Sequence, residues 1–90
     1  MVVGRAERRA LRAPRARLAF GAQAEAALDV LELVELAWHD CYGEPTPSDS
    51  VIDDIFVVGA SGLPELVRAA RLAVVDFRDL RVAADRIRAR

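Results

Sequence analysis

Ninety residues bound the chain to one domain, and a single cysteine excludes an internal disulfide framework and fits a reducing interior. No apolar run approaches the ~18 residues of a membrane span, so the cytoplasm is the expected compartment. The 53% hydrophobic fraction rests heavily on Ala, with only Trp38, Tyr42 and three Phe as aromatics, which favours helices packed closely through Ala.

The net charge of −1 hides three blocks. Residues 1–20 carry six Arg and one Glu, residues 21–67 ten carboxylates and no Arg, and residues 68–90 seven Arg and three Asp. Such segregation invites attraction between the ends and the middle, within one chain or between two.

The first block has an apolar side made mostly of Ala and is interrupted by Pro14. The expectation is a flexible basic extension over 1–20, whose removal leaves stability unchanged, followed by a single helical domain over 21–90.

From Ala24 to Tyr42 the pattern is that of a long helix, near 23–42. At about 100° per residue, Leu31, Val34, Ala37, Trp38 and Cys41 share a wide apolar arc with Val30 and Leu33. Glu25, Asp29, Glu32, Glu35, His39 and Asp40 fill the opposite one. Leu28 and Leu36 interrupt the acidic arc, which implies either exposed leucines or a second covering surface. Cys41, inside the apolar arc, is expected to be a buried inert thiol. Gly43 suits the left-handed residue that ends a helix, and Pro45 and Pro47 prevent its resumption.

Ser48 then reads as an N-cap with Asp49 in the first turn. Val51, Ile52, Ile55 and Phe56 recur at helical spacing, so a short helix over 49–57 is expected; the β-branched content leaves a strand over 55–58 as the alternative. Gly59 and Gly62 break the chain, and Pro64 and Glu65 open a last helix near 63–88. There Leu66, Ala70, Ala73, Phe77, Leu80, Ala84 and Ile87 alternate in steps of four and three, the spacing of a seam against another helix. Leu72, Val75 and Val82 lie nearly opposite that seam among arginines, which implies a second neighbour.

No constellation reaches the specificity of a catalytic or cofactor signature. Glu32, Glu35 and His39 share a face and could hold a transition metal, but the spacing is not that of a di-iron bundle. The Gly59–Gly62 turn lacks the rest of a phosphate loop. The Arg71, Arg78, Arg81 and Arg88 flank is diluted by Asp76, Asp79 and Asp85, unlike a nucleic-acid stripe.

The segments ELAWHDCYGE, PTPSDSVIDDI and LVRAARLAVVDFRDLRVAAD, covering roughly 35–85, resemble a group of short uncharacterised helical proteins from high-GC bacteria. The resemblance implies no activity; it implies only that the block before residue 23 is the less essential part.

The expected fold is therefore all-α. Two long antiparallel helices and one short one make the chain, and a second protomer would complete a four-helix arrangement with Trp38 near the interface. The expected function is that of a non-enzymatic interaction module acting through a homodimer or a protein partner, with Trp38, Leu72, Val75, Val82, Arg71 and Arg78 as candidate interaction residues. The alternatives are an Arg-mediated binder of nucleic acid or an anionic surface, and a metal-binding protein using Glu35 and His39.

Overall fold

The computed structural model describes residues 3–90, so Met1 and Val2 of the basic block lie outside the described residues. Four α-helices carry the chain: α1 (Arg5–Phe20), α2 (Ala24–Tyr42), α3 (Asp49–Val58) and α4 (Leu63–Arg88), with 3-10 turns at Gly21–Gln23 and Gly59–Ser61. The fold is all-α; residues 55–58, for which a strand was the alternative, all belong to α3.

The largest departure from expectation is α1. Where fraying was expected, residues 5–20 form a helix of 16 residues that runs through Pro14. The Ala-rich side offers little apolar area, but it does bury Ala16 and Phe20. Its arginines add what the apolar side lacks. Arg8 and Arg12 bind Glu35, Arg9 reaches three carboxylates of α2, and Arg15 binds Asp53 of α3. The charge segregation seen in the sequence thus acts within one chain, drawing the basic N-terminal block onto the acidic middle.

This docking rotates the buried face of α2. Leu28, which interrupts the acidic arc, is buried at 2% exposure, and Glu35 beside it at 1%. At the other edge of the arc Leu33 is 63% exposed. Cys41 is exposed as well, contrary to the expected buried thiol. The helix ends as its sequence indicates: Gly43 adopts φ 73° and its amide donates to the His39 carbonyl.

Helix α3 begins at Ser48, whose hydroxyl accepts from the Val51 amide at 3.4 Å. It buries Val51, Ile52, Ile55 and Phe56, and Phe56 meets Phe20 of α1 with ring centroids 6.4 Å apart. The tight turn after it makes α3 and α4 a helical hairpin. Gly59 in that turn lies against α4 so closely that a Cβ there would stand 2.7 Å from the Leu66 Cα.

Helix α4 is not one straight rod. Asp76 has φ −159° and ψ 94°, an extended conformation inside the helical run. Its carboxylate accepts from the amides of Arg78 and Asp79 at 3.0 and 3.4 Å, capping a fresh helix start. The heptad seam survives on both sides of the break, with Leu66, Ala70, Ala73, Leu80 and Ala84 buried. Phe77, next to the break, is the seam position left 38% exposed, and it packs on Trp38 and Tyr42 of α2.

Candidate interaction surface

Two buried carboxylates hold the helices in register, and both consume groups that could otherwise do chemistry. Glu35 sits on the α1-facing side of α2, where Arg8 Nε and Nη2 and Arg12 Nη1 donate to its oxygens, the last at 3.0 Å. Arg12 continues to the Thr46 hydroxyl at 3.0 Å, tying in the loop before α3. Burial alone pushes the Glu35 carboxyl up. The hydrogen bonds from Arg8 and Thr46 and the charges of Arg12 and Arg8 more than offset it, so the group titrates below its ordinary range.

The second carboxylate, Asp54, is fully buried in α3. Arg81 Nε donates to its Oδ2 at 2.7 Å, and Arg88 Nη2 stands 2.8 Å from its Oδ1. That second contact is an ion pair without hydrogen-bond alignment, so Oδ1 has charge compensation and no donor. Neighbouring Asp53 bridges Arg15 of α1 and Arg88 of α4, both at 2.6 Å. The Arg15 hydrogen bond, joined by that of Arg88, outweighs burial and holds Asp53 below the usual carboxylate range. Asp54 and Asp53 in turn hold the Arg88 guanidinium still more firmly charged than usual.

The two residues of the metal reading, Glu35 and His39, stand apart in these pairings. Glu35 faces α1 with its oxygens held by arginines, and His39, with 68% of its side chain exposed, has Asp40 at 3.8 Å as its ionic neighbour. The two are four residues apart in sequence but serve different surroundings. No cluster of three potential ligands occurs among the described residues.

A cleft of about 670 Å³ between α1 and α3 is floored by Ile52 and Phe56. Its arginines are occupied: Arg8 and Arg12 by Glu35, and Arg15 by Asp53 while its guanidinium lies 4.5 Å over the Phe56 ring. An anion entering there would have to displace an internal carboxylate.

The uncommitted surface lies on the other side of α2. A groove of about 380 Å³ runs between α2 and α4, walled by Val30, Leu33 and Ala37 on one side and by Val67, Val74 and Val75 on the other. Arg71 is the one charged residue lining it. Leu33 is 63% and Val75 67% exposed, so these are open apolar walls, contiguous rather than scattered.

The candidate interaction residues fall in different places. Val75 and Arg71 line this groove. Trp38 is buried within the chain at 4% exposure, its indole N–H donating to Glu44 at 3.2 Å. Leu72 is half-buried against the core. Arg78 lines a separate small pocket beside Asp54 and pairs with Asp76, and Val82 is exposed beyond the break. Leu33, Val30 and Val67 were missed because the periodicity of α2 and α4 marks them as apolar without saying which edge of the stripe is left over. Only the place taken by α1 decides that.

No protein-family model, curated protein or solved structure matches the chain. Among the described residues no helix is long and apolar enough to cross a membrane.

Proposed function

We propose that the protein is a small non-enzymatic interaction module of the cytoplasm, and that its docking surface is the apolar groove between α2 and α4. The observation that carries this reading is the contiguity of Leu33, Val67 and Val75 around one groove. Monomeric surfaces carry single exposed aliphatics freely, but an apolar groove with a charged residue at its edge matches the anatomy of binding patches. An enzymatic reading has less support, since the buried carboxylates Glu35 and Asp54 are engaged by arginines and no nucleophile is paired with a base among the described residues. Nucleic-acid binding is opposed by the same pairing, because most of the N-terminal arginines spend their charge on the acidic middle.

The test is a photo-reactive amino acid placed at Leu33 in the full chain inside its source cell, with Leu18 as control. Leu18 is 91% exposed and lies on α1, away from the groove. A protein adduct from position 33 and none from position 18 is the expected result; no adduct from position 33 overturns the reading.

A further inference from the structure

We propose that α4 is hinged at Asp76 and that its second half, residues 77–88, exchanges with that of a second copy of this chain. The exchange involves α3 and α4 alone and does not depend on the groove beside α2.

Residues 77–88 lie where a straight helix could not take them. Helix α3 ends at Val58 and α4 leaves the turn at Leu63, so the two set out as a hairpin. At about 1.5 Å per residue, Asp54 is about 6 Å back from the end of α3, whereas a straight α4 would carry Arg88 about 37 Å beyond Leu63. Arg88 nevertheless pairs with Asp53 at 2.6 Å and with Asp54 at 2.8 Å, and Arg81 binds Asp54 at 2.7 Å. The return is made at Asp76, with its φ of −159° and ψ of 94°.

The rest of α4 suits a straight helix. No Pro or Gly, the usual cause of a sharp break, stands within residues 65–88. The seam keeps its steps of four and three across the break, from Ala73 to Phe77 to Leu80. What holds the break is side-chain bonding: the Asp76 carboxylate accepts from the Arg78 and Asp79 amides, and the Tyr42 hydroxyl donates to the Val74 carbonyl. In a straight helix the Arg78 amide returns to that same carbonyl, so the main chain is satisfied in either form. Tertiary contacts then decide between them.

Those contacts name the partner. Straightening α4 takes Arg81 and Arg88 from Asp54, a fully buried carboxylate, and uncovers Leu80 and Ala84. A lone chain with a stranded buried charge is strongly disfavoured. In a pair of chains, residues 77–88 of each lie on α3 of the other, and every lost contact is remade between the copies. No new surface has to be recognised, which is why exchange of an identical element is a low-cost route to a dimer. Concentration and the bonds at the break set the balance between closed monomer and exchanged dimer.

A divided pair of cysteines tests the exchange. Ser50 of α3 and Arg78 of α4 are exposed and line one pocket. One full-length chain carries Ser50→Cys and a second carries Arg78→Cys, both with Cys41→Ser, and a short bismaleimide joins the thiols. Both chains also carry Tyr42→Phe, or both Asp76→Ala, which removes part of what holds the break. The chains are equilibrated together at about 1 mM, where a dimer of millimolar dissociation constant holds about half of them. A covalent 50–78 dimer is expected on a denaturing gel, at about three times or more the yield obtained with Tyr42 and Asp76 intact. Leu18→Cys in place of Ser50→Cys gives the background from collisions, since Leu18 is 91% exposed on α1. Tyr42→Phe loses one hydroxyl only, so its result stands even if Asp76→Ala fails to fold. A 50–78 yield at the collision background overturns the exchange, even where sedimentation shows a dimer, because that dimer then forms through another surface. A yield above background that neither Tyr42→Phe nor Asp76→Ala raises overturns the hinge at Asp76.

Discussion

The hydroxyl of Tyr42, last residue of α2, donates to the main-chain carbonyl of Val74 at 3.0 Å. In an unbroken helix the amide of Arg78 would serve that carbonyl, but here it donates to Asp76 Oδ1. The break in α4 and the end of α2 are therefore one device: the Asp76 side chain takes the amide, and Tyr42 satisfies the acceptor. Tyr42 is expected to cost about 0.5–1.5 kcal/mol when replaced by Phe, and Asp76→Ala about 1 kcal/mol through loss of the cap. Thermal melts of the two single variants and the double variant check the link. Strict additivity would show that the two bonds are independent, whereas shared dependence on the kink predicts a coupling of about 0.5 kcal/mol or more.

Glu35 gives a prediction with a pH signature. Replacing it with Gln leaves Arg8 and Arg12, each with 13% of its side chain exposed, without their counter-charge. The expected loss at neutral pH is about 3–5 kcal/mol. The sign with pH follows from the lowered folded-state titration of Glu35 and Asp53. On acidification the unfolded chain takes up protons first, near the ordinary value of about 4. Stability from these groups is thus complete above that range and is lost as pH falls through the lower folded values. Urea midpoints measured between about pH 6 and 3 should fall steeply for the wild type and less steeply for Glu35→Gln and Asp53→Asn; slopes equal to the wild type would remove the assignment.

The helices α2, α3 and most of α4 are legible in the sequence because each carries a strong local signal. Ser48 and Asp49 mark a start, Gly43 an end, and the steps of four and three from Leu66 to Ala84 a buried stripe. What is illegible depends on contacts between distant residues. The helical character of 5–20 comes from arginines that find carboxylates on other elements, and nothing local to Arg8 or Arg9 announces Glu35 or Asp29. The exposure of Leu33 and Cys41 follows from the same docking, since α1 claims the Leu28 and Glu35 edge of α2 and releases the other. The break at Asp76 had a usable signal: an Asp with amides two and three residues on is an N-cap pattern, but the uninterrupted heptads around it point to a continuous helix. The groove was half legible, with Val75 singled out by its position opposite the seam and Arg71 by its place on the arginine flank of α4.

The N-terminal block yields a prediction opposite to that of a flexible extension. Removing residues 1–20 takes away Ala16 and Phe20 from the core, uncovers Leu28 and Phe56, and strands Glu35 as a buried charge without partners. A truncated chain is expected to be unfolded or insoluble at 25 °C, since the stranded charge alone is worth about 3–5 kcal/mol against a total of about 5–15. Circular dichroism of the truncated chain decides the matter. A melting temperature within about 3 °C of the full protein would show that α1 docks without contributing.

Gly59 offers the narrowest test of the hairpin between α3 and α4. Its φ of −85° is open to any residue, so backbone strain plays no part. The constraint is space: an added Cβ would stand 2.7 Å from the Leu66 Cα and 2.8 Å from its Cδ1. A leucine tip can swing aside, but the main chain of α4 at Leu66 cannot, because that residue is fully buried and one turn from the helix start. Gly59→Ala is therefore expected to destabilise by about 1–3 kcal/mol, a fall of roughly 5–20 °C in melting temperature for a domain of this size. Gly4→Ala, at the N-cap of α1 where a Cβ would meet nothing nearer than 3.8 Å, is the comparison without a clash and should cost less, about 0.5 kcal/mol for the poorer cap. If Gly59→Ala melts with the wild type, α3 and α4 do not approach as closely at this turn as the fold requires.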